Sequence, residues 1–174
     1  MDLKRIIFLL LMVLSFSVFA KNTANKKSTD ELQEIKDRLE LQNLVYTFST
    51  LSDTKDVDKQ VLLFTENANV QSIQDGMLGA KFTGREDIGK AFKAFLSQFE
   101  VVYHINGQQT VNIDGDVADG INYCQVVLIK EENGKKIKRT SGVRYQDKYR
   151  KINGKWYIEN RISNFMWTTT EEMK

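Results

Sequence analysis

This 174-residue chain contains no proline, one cysteine (Cys124) and one histidine (His104). Without proline, and with no internal repeat or low-complexity block after residue 27, nothing marks a linker between domains. A lone cysteine cannot close an intrachain disulfide. One cysteine and one histidine cannot assemble a Cys/His metal centre, so no metal site is expected. One-sided charge is lacking too: 25 basic residues face 23 acidic ones, which removes the electrostatic case for a nucleic-acid partner.

The N-terminus carries a pattern of its own. Lys4 and Arg5 precede an apolar run over residues 6–14, and Val18-Phe19-Ala20 offers a small-residue cleavage site. The run is short for a membrane span, so residues 1–20 read as a signal peptide, with an uncleaved anchor as the competing reading. The protein is then expected to be exported, periplasmic or extracellular, with no membrane span after cleavage. Removing Asp2, Lys4 and Arg5 leaves 23 basic and 22 acidic residues, a net charge of +1. Residues 21–27, polar and without periodicity, read as a disordered leader. The remaining length of about 150 residues suits a single domain with a real core.

Ser28 and Glu31 have the spacing of a capping box. Leu32, Ile35, Leu39, Leu41, Leu44, Val45, Phe48 and Leu51 then follow at three- and four-residue steps, predicting a long amphipathic helix that ends near 52–56. A short helix is predicted over 57–64, a break at 65–68, a short strand at 69–74 and a glycine-rich loop at 75–84. A third helix over 85–99 places Ile88, Ala91, Phe92, Phe95 and Leu96 on one face.

From residue 101 the pattern changes to long strands: 101–113, 117–130, 137–151 and 155–165, joined by Asp114-Gly115-Asp116 and by turns at Asn133-Gly134 and Asn153-Gly154. Residues 168–174 read as a flexible tail. The fold class is α+β: a long antiparallel meander, curved into a cone, with about three N-terminal helices closing an interior pocket. In the third long strand Val143, Tyr145, Asp147 and Tyr149 share one face, a half-apolar cavity wall, while Arg144, Gln146, Lys148 and Arg150 share the solvent face.

The order of these segments resembles the nuclear-transport-factor-2-like cone, in its SnoaL-like branch of polyketide cyclases and dehydratases. The matching pieces are 52–58, 63–68, Thr83-Gly84-Arg85-Glu86-Asp87-Ile88, His104-Ile105-Asn106-Gly107, 111–118 and Asn153-Gly154-Lys155-Trp156-Tyr157-Ile158, and the resemblance as a whole covers 28–167. By that resemblance Asp53 and His104 stand where dehydratase-like members keep an acid/base pair. A carboxylate that orients an imidazole makes a base able to remove a proton beside a carbonyl. The tyrosines such enzymes use correspond to Ser52 and Ser72, or to Phe48, and the strand that would bring a further acid holds Val126 and Leu128. Tyr46, Tyr103, Tyr123 or Tyr145 could supply a phenol from elsewhere, and Arg161 stands near a substrate-binding arginine. Phe48, Ser72, Tyr145, Val126, Leu128 and Arg161 are therefore the expected ligand-binding set.

Taken by themselves, the same residues also fit plainer roles. Asp53 reads equally as a turn former in solvent, His104 as a core or exposed strand histidine, and Asp147 as a rim carboxylate. Cys124 reads as a small buried hydrophobe. Two functions remain in view: a cofactor-independent dehydratase or isomerase acting on a small, partly apolar molecule, or a non-catalytic ligand-binding or oligomerisation domain, with a homodimer as a further expectation.

Overall fold

In the computed structural model the backbone is described over residues 3–174 and the side chains over 28–174. The expected signal peptide and leader, 1–27, thus lie outside the fully described residues. The chain divides into two compact units, 1–39 and 40–174.

Helix α1 spans Leu3–Asp53. The box at Ser28 does not start a helix, because α1 is already running there; no proline or glycine occurs before Gly76 to stop it. Within the first unit Leu32, Ile35 and Leu39 are exposed, contrary to the expected apolar face. In the second unit Leu41, Leu44, Val45 and Phe48 are buried as the periodicity requires.

Asp56 caps the four-residue α2 (Val57–Gln60) by accepting from Lys59 N, and a 3₁₀ turn over Val61–Leu63 follows. Strand β1 is Phe64–Gln74, longer than predicted; its pairing is irregular between Phe64 and Asn69, where the sequence suggested a break. The glycine-rich segment holds a strand, β2 (Met77–Thr83), rather than a loop. Asp75 and Gly76 both have positive φ, 52° and 75°, making a two-residue hairpin turn. As an exposed edge, β2 shows no burial alternation, which is why periodicity missed it. Helix α3 is Gly84–Leu96.

The four long strands are β3 (Val101–Asp114), β4 (Val117–Glu132), β5 (Lys135–Ile152) and β6 (Lys155–Glu172). Their hairpins sit where Asn-Gly predicts: Asn133/Gly134 at φ 53° and 75°, Asn153/Gly154 at 51° and 78°. Residues 168–172, expected as tail, continue β6 opposite β5. The sheet order is β2-β1-β6-β5-β4-β3. It is mixed rather than wholly antiparallel, because β1 runs parallel to β6. The sheet does not close on itself, and β2 and β3 are its edges. Pairing slips at Asn106/Gln109, Gly142/Val143 and Lys148/Tyr149 mark bulges that bend these long strands into the cone-like α+β architecture.

Two apolar clusters fill the second unit. One joins Leu41, Leu44 and Phe48 to Phe64, Ile88, Trp156 and Ile158. The other joins Val57, Leu96 and Phe99 to Val102, Cys124, Val126, Leu128, Val143 and Tyr145. The alternation read along β5 holds: Val143, Tyr145, Asp147 and Tyr149 are all buried. Asp147 is therefore no rim carboxylate.

Candidate functional site

A cavity of about 620 Å³ lies between the end of α1, the cavity face of α3 and the inner face of the sheet. The strand period of two sends Val102 and His104 inward while Tyr103 and Ile105 point out. His104 lines the cavity, as do Phe48, Ser72, Tyr145, Val126, Leu128 and Arg161, so all six residues of the expected ligand-binding set border one space. Of the four tyrosines considered, Tyr46, Tyr103 and Tyr123 are exposed, and Tyr145 alone of them faces the cavity.

Asp53 terminates α1 and reaches His104 across 51 positions of sequence. His104 Nδ1 lies 2.6 Å from Asp53 Oδ1, and the His104 backbone N–H donates to Asp53 Oδ2 at 3.3 Å. Holding ring and backbone together, the carboxylate fixes the imidazole plane and places the Nδ1 proton toward itself. Nε2, left without a hydrogen bond among the described residues, is the nitrogen free to take a proton. The His104 side chain is 7% exposed and Asp53 25%, so the pair straddles the boundary between cavity and surface. Next to it on α1, Ser49 accepts from Asn106 Nδ2 at 2.9 Å, tying the helix to β3.

Arg161 is the second polar feature. Its guanidinium lies 4.1 Å from the Phe48 ring centroid and 4.4 Å from that of Tyr145. Nε and Nη2 donate to Asp147 at 2.8 and 2.7 Å, a bidentate pair of residues directly opposite one another on β5 and β6. Asp147 also accepts from Asn122 Nδ2 at 3.0 Å and from the Tyr149 hydroxyl at 2.8 Å. Burial works against the Arg161 charge, but the Asp147 carboxylate holds its pKa above the usual arginine range. Burial, then the neighbouring Asp147 charge, push the Tyr149 phenol well up. Tyr145 is likewise raised, chiefly by burial, so it stays a neutral phenol at any physiological pH. The corner of the Arg161 guanidinium turned away from Asp147, Nη1, is buried with no hydrogen-bond partner.

Four contributors escaped the sequence reading. Phe92 packs edge-on against Phe48 at 6.0 Å and lines the cavity. Arg139, in a basic hairpin that reads from sequence as solvated, borders it with an unpartnered Nε. Gln60, in a short polar helix without a motif, is 1% exposed. Asn122 looks from sequence like an ordinary strand polar residue, and only its inward parity pointed to burial. Cys124 is buried, and desolvation first, outweighing the Arg161 charge, pushes its thiol up to about 12. That excludes it as a nucleophile at neutral pH. Among the described residues no cluster of three or more His, Cys, Asp or Glu could hold a metal ion.

Comparison with known proteins identifies the family and the fold. The SnoaL-like domain model matches residues 33–162. An uncharacterised protein of Mycobacterium tuberculosis strain H37Rv is 25% identical over 136 residues, 78% of this chain and 90% of the relative. A scytalone dehydratase-like structure from Novosphingobium aromaticivorans superposes with TM-score 0.68 at 17% identity, over 82% of this chain and 92% of that one. A hexachlorocyclohexane dehydrochlorinase from Novosphingobium barchaimii superposes with TM-score 0.69 at 14% identity, over 81% and 94%. At these identities the structures share the fold.

Proposed function

We propose, from the premise that this chain belongs to the SnoaL-like domain family, that its cavity binds a small, partly apolar molecule and that the Asp53–His104 pair removes a proton from it in a cofactor-independent elimination or isomerisation. The observation that carries this reading is the 2.6 Å contact of His104 Nδ1 with Asp53, on an imidazole lining the cavity. A substrate carbon acid near Nε2 loses its proton to the ring, and Asp53 stabilises the imidazolium formed. Negative charge developing on a substrate oxygen is favoured by the positive charge of Arg161 in the cavity wall. The leaving group departs with the electron pair, and the imidazolium returns its proton to it. An elimination is also the chemistry named for one fold neighbour, a hexachlorocyclohexane dehydrochlorinase.

The test follows enone formation from a β-hydroxy ketone probe, 3-hydroxycyclohexanone, by ultraviolet absorbance. Asp53→Asn and His104→Ala are expected to lower the rate by about 10²–10⁴-fold. An unchanged rate in His104→Ala, or no turnover by the unmutated protein while the probe is bound, would sink the catalytic part and leave a binding protein. Export rests on the basic and apolar pattern of residues 1–20 and is checked by cell fractionation. Self-association through the outer face of β3 and β4 is favoured by exposed Tyr103, Ile105, Ile121 and Tyr123; a concentration-independent monomer mass would remove it.

A further inference from the structure

Arg139 on β5 lines the cavity and is partly buried. The strand period sets it on the same face as Ser141, Val143 and Tyr145, all buried, and β4 places the buried Leu128 directly opposite. Unlike Arg161, it takes part in no ion pair or hydrogen bond among the described residues. On β6 the residue opposite is Thr170, and the carboxylates that follow, Glu171 and Glu172, are taken by Lys138 and Lys135. Among the described residues no aspartate or glutamate lines the cavity; Asp53 and Asp147 bind His104 and Arg161 without bordering it themselves. Arg139 is therefore a charge on the cavity wall without a counter-charge. Its Nε is closed off from solvent, which leaves the outer edge of the guanidinium, Nη1 and Nη2, as the accessible part.

We propose that Arg139 is a carboxylate-binding residue of this cavity, which thereby takes amphipathic acids, with an apolar body inside and a carboxylate on the guanidinium. The inference rests on the binding function proposed above and extends it from a partly apolar molecule to a class of acid. The Nη1–Nη2 edge offers two parallel N–H groups, which fit the two oxygens of one carboxylate. Partial burial beside Leu128 strengthens that attraction over the same pair in open water. Strand register sets the size of the ligand. Arg139 pairs with Leu128, and Leu128 with Val102, two residues before His104. With strands about 4.8 Å apart and a rise of about 3.4 Å per residue, the Cα atoms of Arg139 and His104 stand roughly 12 Å apart. An acid built on one or two fused rings spans that gap, its rings meeting Phe92, Phe95, Val126, Leu128 and Phe165.

The experiment compares 2-naphthoic acid with its neutral isostere, 2-naphthamide, by equilibrium dialysis against the full chain at pH 7. The expected result is a preference for the acid of at least about tenfold, which collapses toward unity in Arg139→Gln. Equal affinity for both compounds in the unmutated protein overturns the Arg139 assignment alone. Binding of neither overturns it together with the reading of the cavity as a site for apolar ligands. A preference that persists undiminished in folded Arg139→Gln also refutes the assignment and moves the selection to Arg161. Because no hydrogen bond or ion pair of the described fold uses Arg139, the variant should keep the parent's urea midpoint. Should it fail to fold, Arg139→Met, which keeps an apolar stem opposite Leu128, carries the same two outcomes.

Discussion

Replacing Asp147 by asparagine is the sharpest test of how this cavity is held together. Asp147 has a side chain 0% exposed and Arg161 one 1% exposed. The carboxylate accepts four hydrogen bonds, two from Arg161, one from Asn122 and one from Tyr149. Removing its charge leaves a guanidinium buried between Phe48 and Tyr145 with nothing to neutralise it. Breaking a buried pair from one side costs about 3–5 kcal/mol. With a urea m-value of about 2 kcal/mol/M, the denaturation midpoint should fall by about 2 M. The double variant Asp147→Leu/Arg161→Met removes both charges, and methionine keeps sulfur and methylenes against the two rings. It should be distinctly more stable than Asp147→Asn, its main weakness being the Tyr149 hydroxyl, which loses its acceptor. Urea unfolding followed by tryptophan fluorescence measures both. A double variant as unstable as the single one would refute the argument, showing that packing rather than the unpaired charge sets the cost.

Two further outcomes follow from the same region. The Cys124 thiol has a folded pKa of about 12 against a reference of 9.0, so its contribution to stability is complete below pH 9 and is lost as pH rises through 12; Cys124→Ala should flatten the fall of the urea midpoint between those limits, and an unaltered slope would contradict the assignment. A Cβ at Gly120 would stand 2.7 Å from Tyr149 Cε2 and 3.2 Å from Val111 Cγ1. Gly120→Ala should therefore destabilise by about 1–3 kcal/mol through overpacking, and a thermal midpoint equal to the parent's would show that Tyr149 shifts at no cost.

Much of the fold was legible because its signals are local. Asn-Gly between alternating runs dictates two hairpins, since both turn residues must accept positive φ. The period of two along β5 placed Val143, Tyr145, Asp147 and Tyr149 on the buried face, and three- and four-residue spacing placed Leu41, Leu44, Val45 and Phe48 inward. The Asp75-Gly76 hairpin carried the same kind of signal, yet the exposed β2 that follows lacks alternation and reads as loop. The six cavity-lining residues and His104 were reached through family resemblance combined with strand parity.

What the chain determines by itself, then, is which residues turn, which alternate and which side of each strand is apolar. Tertiary structure alone decided that β1 lies parallel to β6, because parallel pairing joins segments with no turn between them to announce it. It likewise decided that Asp147 meets Arg161: strand register sets them opposite, and burial converts two ordinary charges into one shielded pair. Gln60 shows the same division. Nothing in the sequence distinguishes it from other polar helix residues, and only the tertiary structure buries it, with its amide held by the Phe48 carbonyl and the Ser52 hydroxyl.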